Sequence, residues 1–183
     1  MEKDTFNINS QIIGRCLEGD VKAQFMLYKN YSVAMYNIAV RITGNRMDAE
    51  DVLQESFVTV FERLNELENI ESFTGWLKRI VINNSISCIR KRKIVFEDID
   101  GLSENDHDAE EDFNMNIDPA VVHTAIKELP DGSRSVLVLH ALEGYKHREI
   151  AEMLSISEST SKSQYKRALE LLNTNLKNKI YER

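Results

Sequence analysis

The residues Arg148-Glu149-Ile150-Ala151-Glu152-Met153-Leu154, followed by Ser155-Ile156-Ser157 and then Glu158-Ser159-Thr160-Ser161-Lys162-Ser163, hold the strongest local pattern in this chain. Ile150, Ala151 and Leu154 recur at the spacing of one helix face, and a second periodic segment runs from Glu158 through Leu172 to Leu176. Ile156 lies between them as a plug for the corner, and the small side chain of Ala151 permits close helix approach. This is the spacing of a helix-turn-helix, with a plain packing corner between two helices as the alternative. In the first reading the second helix presents Thr160, Lys162, Ser163, Lys166 and Arg167 toward a major groove. Five hydroxyls favour it, on Ser157, Ser159, Thr160, Ser161 and Ser163. Such residues are poor in helix interiors but gain where they cap a helix start or meet phosphates.

Upstream of this pattern, Asp118-Pro119 is a helix start, an N-cap followed by proline at the first helical position. Val121, Val122, Ala125, Ile126 and Leu129 give its apolar stripe before Pro130 stops it. A helix from Ser133 to Glu143 is then expected, with Val136, Leu137, Leu139 and Leu142 inward and Gly144 at its end. The first half also reads as helices. Ile12, Ile13 and Leu17 form a short one ending near Gly19; Asp20 caps a long one carrying Ala23, Leu27, Tyr31, Ala34, Ile38 and Ile42; Gly44 closes it. A third is expected to start at Asp48 as its cap and to bury Val52, Phe57, Val60, Phe61 and Leu64. The fourth begins at Ser72 and buries Phe73, Trp76, Leu77, Ile80 and Val81. It runs into Arg90-Lys91-Arg92-Lys93, where cations also suit a helix C-terminus. Trp76, Tyr28, Tyr31 and Tyr36 fall on core-type stripes and read as packing residues.

Composition narrows the class. The 183 residues are 42% hydrophobic and 29% charged, with only seven glycines and two prolines. Turn-hungry sandwiches, barrels and Gly-rich phosphate loops are therefore disfavoured, and two small helical domains are expected. No apolar run approaches the ~18 residues of a membrane span, and Met1-Glu2-Lys3-Asp4 lacks the start of a secretory signal. Cys16 and Cys88 form no CxxC pair, which fits a reducing cytoplasm. The net charge of -7 is unevenly distributed. Between Ile94 and Ile126 there are ten acids and no Lys or Arg, so the rest of the chain is slightly basic and nucleic acid remains a candidate partner. Residues 94–117 read as a linker between domains at 1–93 and 118–183.

No chemical site emerges. There is no Ser-His-Asp order, no phosphate loop and no catalytic residue to nominate. Asp48, Glu50, Asp51 and Glu55 invite a metal-site reading, but a di-metal carboxylate bundle needs Glu-x-x-His pairs on two further helices, which the chain does not supply. An acidic helix face that docks on a basic protein surface is the better reading. No cofactor or metal is expected.

Together the two halves resemble the extracytoplasmic-function class of bacterial sigma factors, which give core RNA polymerase its promoter specificity. Three segments carry the resemblance, in the family's order and spacing. Asp48-Ala49-Glu50-Asp51-Val52-Leu53-Gln54-Glu55-Ser56-Phe57 is similar to the polymerase-docking helix. Phe73-Thr74-Gly75-Trp76-Leu77-Lys78-Arg79-Ile80-Val81-Ile82-Asn83 is similar to the promoter-melting helix. Glu128-Leu129-Pro130 through Leu172 is similar to the upstream-element reader.

The resemblance implies roles residue by residue. Asp48, Glu50, Asp51, Gln54 and Glu55 would meet the clamp coiled coil of the polymerase largest subunit. Lys78, Arg79, Asn83, Asn84, Ser87, Arg90, Lys91, Arg92 and Lys93 would engage the downstream element on the non-template strand, with the loop Asn65 to Glu71 capturing a flipped base. Ser157, Thr160, Lys162, Ser163, Lys166 and Arg167 would read the upstream element, with Gln164 reading adenine or lying against phosphate. Ser155 stands where the family usually has Gly, and Ser161 where it usually has Val. The acidic linker, with Phe96 and Phe113 as anchors, would thread the polymerase's basic nucleic-acid channel or serve as a solvated tether. The implied partners are core RNA polymerase, promoter DNA and an anti-sigma factor, without membrane insertion. A conventional dimeric helix-turn-helix regulator is the competing function.

Overall fold

The computed structural model describes the backbone of residues 2–92 and 118–181, and side chains over 10–92 and 118–179. Lys93 and the whole 94–117 segment, including Phe96 and Phe113, lie outside the described residues. All regular structure among the described residues is helical. The chain divides into two compact units, residues 1–91 and 92–183.

Unit 1 holds α1 (Glu2–Leu17), α2 (Val21–Thr43), α3 (Arg46–Arg63) and α4 (Phe73–Lys91), with short 3-10 turns at Leu64–Glu66 and Ile70–Ser72. Asp20 caps α2, accepting from the amides of Lys22 at 2.8 Å and Ala23 at 3.2 Å while also taking Arg15. Gly44 ends α2 in the left-handed region at φ 67°, where a side chain would be strained. The cap of α3 falls three residues earlier than expected. Asn45 accepts from Met47 N at 2.8 Å and Asp48 N at 3.3 Å, so Asp48 lies inside the first turn rather than at the cap. An Asn directly after the closing Gly is as good a cap as Asp, and Asp48 still meets the positive helix end. Leu27, Ile42, Val52, Phe57, Val60, Phe73, Leu77, Val81 and Ile82 are buried where α2, α3 and α4 pack. Edge-to-face pairs join Tyr28 to Phe57 and Tyr31 to Phe73. On α2 the inward residue is Met35, with the expected Ala34 exposed, and Leu17 is also largely exposed.

Unit 2 holds α5 (Pro119–Lys127), α6 (Asp131–Leu137), a π turn at Val138–Leu142, α7 (His147–Leu154) and α8 (Glu158–Tyr181). Asp118 caps α5 through Ala120 N, as its sequence implies. The single helix expected over Ser133 to Glu143 is instead an α-helix that widens into the π turn. The widening accommodates one extra residue and rotates the face that follows, which leaves Leu142 47% exposed instead of inward. Arg134 is buried and locks this corner: it pairs with Asp131 and donates to the carbonyl of Leu129 at 2.7 Å. At the far end Lys179 of α8 reaches Glu128 at 2.7 Å.

Candidate polymerase- and promoter-binding surfaces

The α3 face forms because Ala49, Val52, Leu53, Ser56, Phe57 and Val60 turn inward, leaving the alternate positions to solvent. Glu50, Asp51, Gln54 and Glu55 are exposed, and Asp48 sits half-buried at the edge. Met47 and Val58, 75% and 55% exposed, extend the same stripe, since positions 47, 51, 54 and 58 fall within roughly 60° of one another around the axis. The surface is therefore acidic in the middle and apolar at both ends. Sequence reasoning missed Met47 and Val58; their four-, three- and four-residue spacing around Asp51 and Gln54 was the available signal.

On α4, Arg79, Asn83, Ser87 and Arg90 are exposed along one stripe, with Lys91 and Arg92 exposed beyond it and Lys78 half-buried on its flank. Asn84 does not join them. Its amide donates to the Oγ of buried Ser56 at 3.1 Å, a hydrogen bond between α4 and α3, so it is engaged inside the fold and not on the outer face. The loop before α4 is ordered by Asn69, which accepts from Glu71 N at 2.8 Å. Arg63 holds the carboxyl of Glu66 below its usual pKa there. Trp76 is half-buried against Phe73.

The corner of unit 2 turns at Ser155, which adopts the left-handed conformation at φ 56°. Ile156 N then donates back to Ala151 O at 3.0 Å, satisfying a carbonyl at the end of α7. Ser157 caps α8, its Oγ accepting from Thr160 N at 2.9 Å. The face of α8 differs from the expectation in two residues. Thr160 is buried, with its hydroxyl at 2.7 Å from Ser157 Oγ, and Gln164 is buried, its Oε1 accepting from Ser133 Oγ at 2.7 Å. Both are turned toward the fold, where hydrogen-bonded polar groups can be buried at little cost. Lys162 and Lys166 remain exposed, Lys162 paired with Glu158 at 2.9 Å; Ser163 is half-buried and donates to Ser159 O at 2.7 Å. Arg167 is half-buried, about 140° around the helix from Lys162. Among the described residues no cluster of three or more His, Cys, Asp or Glu could hold a metal ion, and no helix is long and apolar enough to cross a membrane.

These surfaces lie on segments that match families of known proteins. Residues 27–94 match the Sigma-70 region 2 family and residues 120–172 match Sigma-70 region 4. The chain is 30% identical over 151 residues to an ECF RNA polymerase sigma factor SigE of Mycolicibacterium smegmatis, covering 80% of this chain but 58% of that protein. It is 28% identical to the ECF RNA polymerase sigma factor SigW of Bacillus subtilis, covering 87% of this chain and 92% of the relative. The sigma factor RpoE of Bartonella quintana, solved in complex with the anti-sigma factor NepR, shares the fold at a TM-score of 0.52 and 22% identity, over 86% of this chain and 98% of that one. With regions 2 and 4 matched in order, the chain belongs to the extracytoplasmic-function class of RNA polymerase sigma factors, whose members confer promoter-specific initiation on core RNA polymerase.

Proposed function

We propose that this chain divides its work at its linker: residues 1–93 dock on core polymerase and open the downstream element, residues 118–183 read the upstream element, and 94–117 connect them through the polymerase's nucleic-acid channel. The observation that carries this reading is the opposite charge of two exposed helix faces, acidic on α3 and cationic on α8, each on a segment matching the corresponding sigma region. Glu50, Asp51, Gln54 and Glu55 offer carboxylates and an amide to a basic coiled coil, with Met47 and Val58 adding apolar area at the ends. Arg79, Asn83, Ser87 and Arg90 supply charge and hydrogen bonds along single-stranded DNA. Lys162 and Lys166 meet phosphates, and Arg167 reaches a base edge from the flank. The chain acts in the cytoplasm, catalyses nothing itself, and is restrained by an anti-sigma factor, as the Bartonella relative is found bound to one. A dimeric regulator working without polymerase has no use for a region 2 match.

The test is retention of purified core polymerase by the immobilised chain at low salt. Replacing Asp51 and Glu55 with Lys should abolish retention while circular dichroism stays unchanged, because both side chains are exposed. Undiminished retention by the folded double variant removes these residues from the interface.

A further inference from the structure

The first turns of α8 rest on a pair of histidines. His140, in the π turn, and His147, at the start of α7, stack with ring centroids 4.2 Å apart and planes 22° apart. Tyr165 of α8 closes the cluster edge-on, 4.7 Å from His140 and 5.6 Å from His147. His140 Nδ1 lies 2.8 Å from the carbonyl of Tyr145; a carbonyl only accepts, so that nitrogen carries a proton. His147 Nδ1 lies 2.9 Å from the Oγ of fully buried Ser161. One side of the recognition helix is thus hydrogen-bonded through Ser161 to a ring that is itself stacked on its neighbour.

We propose that His147 is a positioning residue for promoter reading: neutral, it seats the first turns of α8 through Ser161; protonated, it releases them and weakens binding to the upstream element. This rests on the sigma reading above. A positive charge on His147 would meet His140 at stacking distance from the π turn, and Lys162 from α8. Tyr165 and Ser161, the other α8 groups against the ring, are neutral. Its own helix adds Arg148, which already faces Glu152 at 3.7 Å. The acid on that side is Glu158, and it is shared with Lys162 at 2.9 Å. Burial first, then His140 and Lys162, push His147 below the ordinary imidazole range, against a weaker upward pull from Glu158. A released ring titrates near the ordinary value of about 6.5. The docked arrangement is therefore at full strength above that pH and is lost as pH falls through the depressed folded value.

The experiment compares wild type with His147→Asn, whose amide occupies the Nδ1 position and can bond Ser161 but cannot be protonated. Holoenzyme made from the full chain and core polymerase is titrated against a duplex promoter that it has itself selected from random DNA at pH 7.5. Between pH 7.5 and 5.5 wild-type affinity should fall several-fold more than that of His147→Asn, because only the imidazole takes up a proton in that window. His140→Phe, which keeps an aromatic ring in the stack and removes the imidazole that opposes a charge on His147, should shrink the same difference. In the free wild-type chain, amide exchange over residues 159–165, corrected for intrinsic rates, should accelerate as the His147 ring resonances titrate. Parallel pH profiles for wild type and His147→Asn, or exchange at 159–165 indifferent to His147 protonation, overturn the proposal while leaving the sigma reading intact. Absence of promoter selection at pH 7.5 overturns the sigma reading, and the proposal with it.

Discussion

In unit 1 the acidic helix α3 is seated through Val52, Phe57 and Val60 together with Leu77 and Val81 of α4, and its buried Ser56 donates to Val52 O within the helix while accepting from Asn84 of α4. In unit 2 the recognition helix is seated partly on Ser133, His140, His147 and the corner locked by Arg134, with Thr160, Ser161 and Gln164 buried and hydrogen-bonded. Apolar contacts are non-directional and tolerate small rotations of a helix. Hydrogen bonds between buried groups do not, so a polar seam fixes the rotational setting of α8 more sharply than an apolar one would. A docking face that meets a broad, charged partner can tolerate imprecision. A helix that reads base edges cannot.

This contrast can be broken in several places. The largest effect is expected for Leu77→Ala, which opens a cavity at a fully buried site and should cost unit 1 roughly 2–5 kcal/mol. Stepwise thermal unfolding should show unit 2 unmoved; a shift in both transitions would mean that the units do not unfold independently. Arg134→Met comes next. It strips a buried charge from Asp131 and a donor from Leu129 O, and should lower the unit 2 transition by about 3 kcal/mol, near the bottom of the range for a buried pair because Asp131 keeps 29% of its side chain exposed. A smaller loss than that from an equal apolar truncation in unit 1 would reduce the polar seam to a minor contributor.

The smallest effects separate two cations on α8. Lys162→Ala should weaken all promoter sequences alike and reduce the salt slope by about one, because an exposed lysine paired with Glu158 suits a phosphate. Arg167→Ala should cost about 1–3 kcal/mol on the preferred upstream element and flatten the preference at one base pair. Holoenzyme binding to single-base promoter variants at several salt concentrations distinguishes them. Uniform weakening by Arg167→Ala with relaxed selectivity from Lys162→Ala would reverse the two roles.

Much of this architecture was legible in the sequence because its signals are local. Asp118-Pro119, the Asp20 cap, Gly44 and the Ile150, Ala151 and Leu154 spacing each act within one turn of helix. What escaped depends on neighbours distant in the chain. Gln164 looks like a surface residue until Ser133 provides a partner, and Asn84 looks like an outward-facing polar residue until Ser56 takes its amide; Thr160 is the local exception, bonded to Ser157 three residues back. The π turn at Val138–Leu142 left no turn residue to mark it, so Leu142 was expected inward. Ser161 did carry a signal: it occupies a position where the family usually has Val, an apolar residue suited to burial, and here it is fully buried.

The central claim is that two units of opposite surface character together give polymerase its promoter choice. Transcription in vitro from pooled genomic fragments, with purified core polymerase alone and with the full chain added, tests it most directly. Discrete new transcripts should appear only with the chain present and vanish with the Asp51→Lys, Glu55→Lys double variant. An unchanged transcript pattern on adding a folded chain that does bind core polymerase would contradict it.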